Sequence, residues 1–148
     1  MVVCTTFKIH IQKMKTKITR LIRSGRSDTT IIAFLMLESY FRPLKYRTLE
    51  YVYWSITGDL DTSLGLAQIK AKNNLLLNNN NIFSRIKDVK KLESFEYNYD
   101  CIDLYINKDI RYCSDDVELC KFYNGEYVTM SYINYYKFAK VQIENIKI

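Results

Sequence analysis

The sequence has no apolar run that approaches the roughly 20 residues of a transmembrane helix. A membrane-spanning segment is therefore not expected. Residues 1–12 alternate apolar and polar positions, and they lack the positive start, the apolar middle and the small-residue cleavage site of a signal peptide. We expect synthesis in the cytoplasm, and any action at a cell wall would depend on an export or lysis route that needs no such signal.

Metal-ligating residues are sparse too, with four cysteines and one histidine. Cys113 and Cys120 lie seven residues apart in a predicted helix, about 10 Å along its axis, which is too far for a disulfide. His10 is distant in sequence from both, so no zinc site is expected. We predict free or buried thiols at Cys4, Cys101, Cys113 and Cys120, and no metal or cofactor.

Glycine is scarce, with four residues, and scarce glycines tend to mark positions where the backbone has no alternative. Hydrophobic residues make up 48% of the chain, which predicts a folded protein. A length of 148 residues allows one core and is short for two. We therefore expect a single domain over 1–148, with a basic N-terminal helix in 1–26 and the core in 27–148.

The net charge is +6, and much of the positive charge lies between Lys8 and Arg26. Nucleic acid, an anionic membrane and an anionic cell wall would all attract such a chain. A solvated helix face is the plainer interpretation of the cluster. Specific nucleic-acid recognition is not expected, because RNA-binding aromatic signatures and zinc-finger spacing are missing. The clustered cations are Lys13, Lys15, Lys17, Arg20, Arg23 and Arg26.

Apolar periodicity predicts a mainly α fold of about seven helices with at most a small β element. The run Ile31–Leu37 is apolar all round, so its helix is predicted to be buried at the centre. Residues 63–69 are predicted to begin with a glycine break and then to enter a helix reaching Leu77. Residues 97–110 are expected to hold a short extended piece. The predicted helices cover 7–23, 29–40, 46–54, 82–95, 114–122 and 131–146.

Glu38 directly follows the seven apolar residues of the buried helix. A carboxyl held against that surface would be poorly hydrated, which would raise its pKa. A raised pKa keeps the proton in place near neutral pH, as a general acid requires. Alternatively, Glu38 ends the helix pointing to water or pairs with Arg42 at i+4.

Three segments together resemble lytic transglycosylases and goose-type lysozymes. Glu38–Phe41 (Glu-Ser-Tyr-Phe) resembles the Glu-Ser-x-Phe segment of that family, and Ser63–Ile69 (Ser-Leu-Gly-Leu-Ala-Gln-Ile) resembles its Gly-Leu-Met-Gln-Ile segment. Phe122–Gly125 (Phe-Tyr-Asn-Gly) resembles its Ala-Tyr-Asn-x-Gly segment, and residues 132–141 fit the closing helix. The segments occur in the family's order.

The resemblance implies a lysozyme-like catalytic core in 27–148 that cleaves peptidoglycan between N-acetylmuramic acid and N-acetylglucosamine. It implies that Glu38 protonates the leaving oxygen and that backbone groups around 66–69 hold an N-acetyl group. It further implies that Tyr123 and Asn124 position the muramic residue or hold Glu38. The substrate-binding residues implied in this way are Ser63, Gly65, Leu66, Gln68, Ile69, Tyr123 and Asn124.

Two further groups of charged residues have open roles. A transglycosylase needs one catalytic carboxylate, whereas a hydrolase usually needs a second, for which Asp59 and Asp61 are the candidates; both also suit a turn. Arg42, Arg47 and Glu50 could bind peptide or lactyl carboxylates or form a structural ion-pair network. If Glu50 faced the cleft in place of Glu38, the acid assignment would be wrong.

Two other functions compete with glycan cleavage. Ser63–Gln68 faintly resembles the Ser-Thr-Ile-Thr-Gln-Gln segment of peptidoglycan glycosyltransferases, which have a lysozyme-like core. The chain could also be a non-catalytic helical module that binds glycan or protein, since fold alone does not establish activity. Glu38 at the floor of an open cleft would favour catalysis, whereas Glu38 locked to Arg42 or Arg47 would favour binding.

Aromatic side chains are plentiful, with thirteen tyrosines. Aromatic rings stack on sugar faces, although most tyrosines are boundary residues with a hydrated hydroxyl. The tyrosines that could line a glycan groove are Tyr40, Tyr46, Tyr51, Tyr97, Tyr99, Tyr135 and Tyr136.

Overall fold

The computed structural model describes residues 4–77 and 81–148, and this part of the chain is mainly helical. It contains eight α-helices, one 3-10 helix at Ala71–Asn73 and one two-stranded sheet, so the predicted mainly α fold with a small β element is confirmed. Of the described helices, none is long and apolar enough to cross a membrane. The helices are α1 (Thr5–Arg23), α2 (Thr29–Phe41), α3 (Leu44–Thr57), α4 (Ile82–Leu92), α5 (Phe95–Tyr105), α6 (Lys108–Cys113), α7 (Asp116–Asn124) and α8 (Met130–Lys147).

The chain forms two compact units, and the boundary between them lies inside α2. One unit consists of two segments, the chain up to Leu37 and Ile106–Ile148. It therefore contains α1, most of α2, and α6 to α8. The other unit is the contiguous segment Glu38–Tyr105, which contains the end of α2, α3, the sheet, α4 and α5.

The apolar run of α2 provides the core of the first unit. Every residue from Ile31 to Leu37 has no solvent-accessible surface, so the predicted buried helix is confirmed. The Phe34 ring stacks on Tyr123 at 4.4 Å and on Tyr136 at 4.7 Å between ring centroids. A buried aromatic cluster of this kind contributes more than its apolar area alone, by about 1 kcal/mol per ring pair.

The core of the second unit lies around Trp54, which is fully buried on α3. Four other buried residues complete this cluster: Tyr51 of the same helix, Leu64 of the sheet, Ala71 of the 3-10 helix and Leu92 of α4. The cluster holds the sheet against α3 and α4, and thereby determines where the segment after residue 62 can run.

The segment after Ser63 forms a β-hairpin, so the predicted helix reaching Leu77 is wrong. Strand β1 (Ser63–Leu64) pairs antiparallel with β2 (Ile69–Lys70), with Ser63 opposite Lys70 and Leu64 opposite Ile69. The loop between the strands contains two residues with positive φ, Gly65 and Gln68, and such a conformation cannot continue a right-handed helix.

The extended piece expected within 97–110 is also absent, because α5 and α6 occupy most of that range. In α5 the buried residues Phe95, Asn98, Tyr99 and Ile102 recur at i, i+3, i+4 and i+7, which is helical spacing. The polar Asn98 obscured this pattern. Cys113 and Cys120 are also not in one helix, since α6 ends at Cys113 and α7 begins at Asp116.

The four cysteines are free thiols in two distinct environments. Burial raises the pKa of Cys101 to about 11 and that of Cys120 to about 12, whereas Cys4 and Cys113 are exposed. We expect Ellman's reagent at pH 8 to label two thiols of the native protein at least about a hundredfold faster than the other two, because the thiolate is the reactive form. In denaturant all four should react at similar rates. Four equally fast thiols in the native protein would contradict this assignment.

Candidate active site

An open polar pocket of about 630 Å³ lies within the Glu38–Tyr105 unit. Residues of α3, of the turn before the hairpin and of the hairpin itself line it, and we call it the polar pocket. Six of its lining residues are among those singled out from the sequence: Arg42, Glu50, Asp59, Asp61, Ser63 and Gln68. The other four are Tyr46, Leu49, Tyr53 and Thr62, of which only Tyr46 had been considered as a sugar contact.

Glu38 does not line this pocket, but it lies one helical turn before Arg42, which does. Its side chain is at the end of the buried run of α2, and the residue is only 9% exposed. The backbone N–H of Arg42 donates to the Glu38 carbonyl oxygen at 3.0 Å. Because residues four apart on a helix have Cβ atoms about 5–6 Å from each other, this bond places Glu38 next to a residue that lines the polar pocket.

Glu38 belongs to the same compact unit as the hairpin loop, whereas Tyr123 and Asn124 end α7 in the other unit. The Tyr123 ring packs on Phe34. A role for Tyr123 and Asn124 beside Glu38 therefore stays a prediction.

The hairpin loop is held in place by Asn98 of α5, a buried residue that sequence reasoning missed. Its Oδ1 accepts a hydrogen bond from the Ala67 backbone N–H at 3.0 Å, and its Nδ2 donates to the Leu92 carbonyl at 2.8 Å. The Leu66 N–H donates to the same carbonyl at 3.3 Å. The side chain of Asn98 thus accepts a hydrogen bond from a backbone N–H of the loop that would otherwise need a strand or helix partner.

Gly65 is required both by backbone conformation and by space. Its φ is +76°, and a Cβ added there would lie 2.8 Å from Asn98 Oδ1 and 2.9 Å from the Leu92 carbonyl oxygen. A side chain at this position would therefore push the loop away from α5.

Gln68 occupies a conformation that non-glycine residues rarely adopt, with φ of +53°. Its backbone N–H and its side-chain Nε2 both donate to the Gly65 carbonyl, at 3.3 and 3.1 Å. Left-handed backbone costs a residue other than glycine about 1–2 kcal/mol, and such outliers cluster at functional sites. Here the conformation places the Gln68 side chain in the wall of the polar pocket.

The neighbouring side chains of the loop point inward. Leu66 and Ile69 are buried, the Leu66 N–H donates to the Leu92 carbonyl, and Ile69 pairs with Leu64 in the hairpin. The role that the family resemblance implies for residues 66–69, which is to hold an N-acetyl group through the main chain, stays a prediction.

The carboxylates of the pocket have different partners. Glu50 Oε1 lies 2.5 Å from Arg42 Nε, and the Arg42 guanidinium lies over the Tyr46 ring, 5.2 Å from its centroid. Asp59 accepts from the Tyr53 hydroxyl at 2.9 Å and from the Asp61 backbone N–H at 2.9 Å, so it both shapes the turn and lines the pocket.

Asp61 is exposed and pairs with Lys72 at 2.7 Å. The hydrogen bond and the charge of Lys72 lower the pKa of the Asp61 carboxyl, so it is ionised at neutral pH. As an ionised group in water it can serve as a base or an electrostatic stabiliser, but not as a proton donor.

Arg47 is buried on α3 and joins the end of α2 to the end of α4. Its Nε and one terminal nitrogen donate to the two carboxylate oxygens of Glu93 at 2.9 and 2.7 Å, and the other terminal nitrogen donates to the Arg42 carbonyl at 2.6 Å. Burial lowers the pKa of Arg47, but the hydrogen bond and charge of Glu93 and the interaction with Tyr51 together outweigh burial, and the pKa is raised. The Tyr51 hydroxyl also bonds Glu93.

Comparison with protein-family models, with curated proteins and with solved structures gives no match for this chain. The chemistry of the site therefore follows from its own residues. A nearly buried glutamate one turn before a residue of an open polar pocket, with an amide side chain and carboxylates in the pocket wall, is suited to acid-assisted cleavage of a polar, uncharged bond.

Proposed function

We propose that the protein cleaves the glycan strand of peptidoglycan between N-acetylmuramic acid and N-acetylglucosamine, with Glu38 as the general acid on a lysozyme-like helical core. One observation carries the proposal: Glu38, a residue only 9% exposed, follows the fully buried run Ile31–Leu37 and lies one helical turn before Arg42, which lines the same pocket as Gln68. The substrate is inferred from the resemblance of three segments to lytic transglycosylases and goose-type lysozymes.

In this mechanism the Glu38 carboxyl donates its proton to the glycosidic oxygen as the bond to the sugar carbon breaks. The mechanism requires Glu38 to hold its proton until the substrate binds, as a carboxyl beside an apolar surface such as the Ile31–Leu37 run can do. The carboxylate that results then takes a proton from the attacking group. A sugar hydroxyl that attacks closes an anhydro ring, whereas a water molecule leaves a reducing end.

The pocket wall supplies groups that fit a sugar chain. The Gln68 amide and the Ser63 hydroxyl can bond sugar hydroxyl or amide groups, and the exposed rings of Tyr46 and Tyr53 can stack on a sugar face. Attack by water would need a second carboxylate, for which Asp59 and Asp61 stand in the same wall.

The two arginines considered as partners of Glu38 each contact another acceptor. Arg42 pairs through Nε with Glu50, and the three guanidinium nitrogens of Arg47 bond Glu93 and the Arg42 carbonyl.

Digestion of purified peptidoglycan by the full chain tests the proposal. We expect soluble muropeptides with intact peptide stems, and mass analysis of their ends identifies the attacking group: anhydro ends indicate a sugar hydroxyl and reducing ends indicate water. Heat-unfolded protein is the control. Release of peptides alone, or of no soluble product, would contradict glycan cleavage.

A further inference from the structure

The Glu38–Tyr105 unit has a second pocket, of about 640 Å³, in which apolar side chains predominate. It lies between α3 and α4, on the face of α3 away from the residues that line the polar pocket, and we call it the α3/α4 groove. Leu44, Val52 and Ile56 of α3 line it together with Ile82, Ile86 and Val89 of α4.

Large apolar side chains protrude around this groove. Ile56 is 66% exposed, and Phe83, which directly follows Ile82 on α4, is 75% exposed. Leu44, Val52 and Ile86 are exposed as well. Single exposed apolar residues are ordinary, but a contiguous apolar face on two adjacent helices marks a surface that binds something.

Lysines accompany the apolar residues on both helices. Lys90 lines the groove, Lys45 follows Leu44 in the first turn of α3, and Lys87 lies one turn after Phe83 on α4. All three are exposed. The carboxylate in the groove lining, Glu93, already bonds Arg47 and Tyr51. The lysines therefore give this face a positive charge.

We propose that the α3/α4 groove and its lysines dock the protein on the surface of an anionic lipid bilayer. Protruding apolar side chains would enter the boundary between headgroups and acyl chains, while lysines at the same face reach the lipid phosphates. This inference is independent of Glu38 and of the proposed glycan cleavage.

Charge complementarity decides between a bilayer and a second copy of the chain. A twofold dimer would place the same patch on both sides of the interface, so that Lys45, Lys87 and Lys90 would approach their own counterparts. Like charges so placed repel each other across an apolar interface of low dielectric constant. An anionic bilayer offers the opposite charge over an extended area together with an apolar layer beneath it.

Sedimentation with vesicles tests the proposal. The full chain should partition onto vesicles of phosphatidylglycerol and phosphatidylcholine but not onto vesicles of phosphatidylcholine alone. Each lysine near an anionic surface strengthens binding about fivefold, so Lys87→Gln with Lys90→Gln should weaken partitioning by about 25-fold. Ile56→Ser with Phe83→Ser should weaken it by at least about tenfold, because two apolar side chains no longer leave water.

Matched variants elsewhere in the chain separate a docking face from general attraction. Lys13→Gln with Lys15→Gln removes the same charge from exposed positions on α1, and Val141→Ser replaces a 58% exposed residue of α8. Both should leave partitioning within about threefold of the wild type. All variants replace surface residues, and circular dichroism checks that each is folded.

Three results would overturn the proposal. The first is a wild-type chain that stays in solution with anionic vesicles. The second is an equal loss of partitioning in the α1 lysine variant and in the α4 lysine variant. The third is a chain that fails to bind vesicles but forms a dimer by light scattering, which Ile56→Ser abolishes.

Discussion

Glu38→Gln should lower the release of soluble muropeptides from purified peptidoglycan by at least about a hundredfold. Glutamine keeps the size and the hydrogen-bonding capacity of the side chain but has no acidic proton, and a positioned general acid contributes about 10² to 10⁴ in rate. Because the change removes an ionisable group from a nearly buried position, the thermal midpoint of unfolding should stay the same or rise.

Two matched variants test whether a loss of muropeptide release is specific to Glu38. Glu126→Gln changes an exposed glutamate of the loop after α7 and should leave muropeptide release at the wild-type level. Glu50→Gln removes the carboxylate that lines the polar pocket beside Arg42. If Glu50→Gln stops the release while Glu38→Gln does not, then Glu50 is the acid and the present assignment is wrong.

Gly65→Ala should lower the free energy of unfolding by about 3 kcal/mol, as measured by urea denaturation. About 1–2 kcal/mol follows from placing alanine at a φ of +76°. The remainder follows from a Cβ that would lie under 3 Å from Asn98 Oδ1 and from the Leu92 carbonyl oxygen, because buried overpacking costs about 1–3 kcal/mol.

Gly25→Ala separates these two contributions. Gly25 has a φ of +87°, but a Cβ there would have no atom within 4 Å, so the loss should be the conformational part alone, about 1 kcal/mol. Equal losses at the two glycines would show that the loop moves freely away from α5 and that Asn98 does not hold it.

Helices whose apolar residues recur on one face could be predicted from the sequence. The pattern in α1 places six apolar residues on one face, of which the structure buries four and leaves two, Met14 and Ile22, half-buried. The buried four are Phe7, Ile11, Ile18 and Leu21. The run Ile31–Leu37 was predicted to be buried because it has no polar face, and it is. In these helices the local pattern and the tertiary packing agree.

The hairpin could not be predicted in this way, because its conformation is decided by residues distant in sequence. Residues 66–70 are mostly good helix formers, and their local preference is helical. Asn98 and the Leu92 carbonyl bond the loop from about thirty positions later, and these contacts outweigh the local preference. Asparagine is typical of loops, so the sequence did not indicate that Asn98 is buried on a helix and bonds the hairpin loop.

The polar pocket was predicted in part. The motif residues Ser63 and Gln68 and the charged residues before them do line it. Leu49, Val52 and Tyr53 were predicted to point inward on α3, but all three are exposed, and Leu49 and Tyr53 line the pocket. A usable signal was present, since Tyr46, Leu49 and Tyr53 follow one another at i, i+3 and i+7 on α3 and so share one face. The contacts that engage Arg47 with Glu93 join helices far apart in sequence, which spacing alone does not reveal.

During synthesis, the ribosome delivers the whole Glu38–Tyr105 unit before it delivers α7 and α8. That unit is contiguous, so it can close while the chain is still growing. Phe34, in contrast, has Tyr123 and Tyr136 as its stacking partners, and both are translated later. We therefore expect this unit to fold first, while the apolar faces of α1 and α2 stay exposed until α7 and α8 have been synthesised.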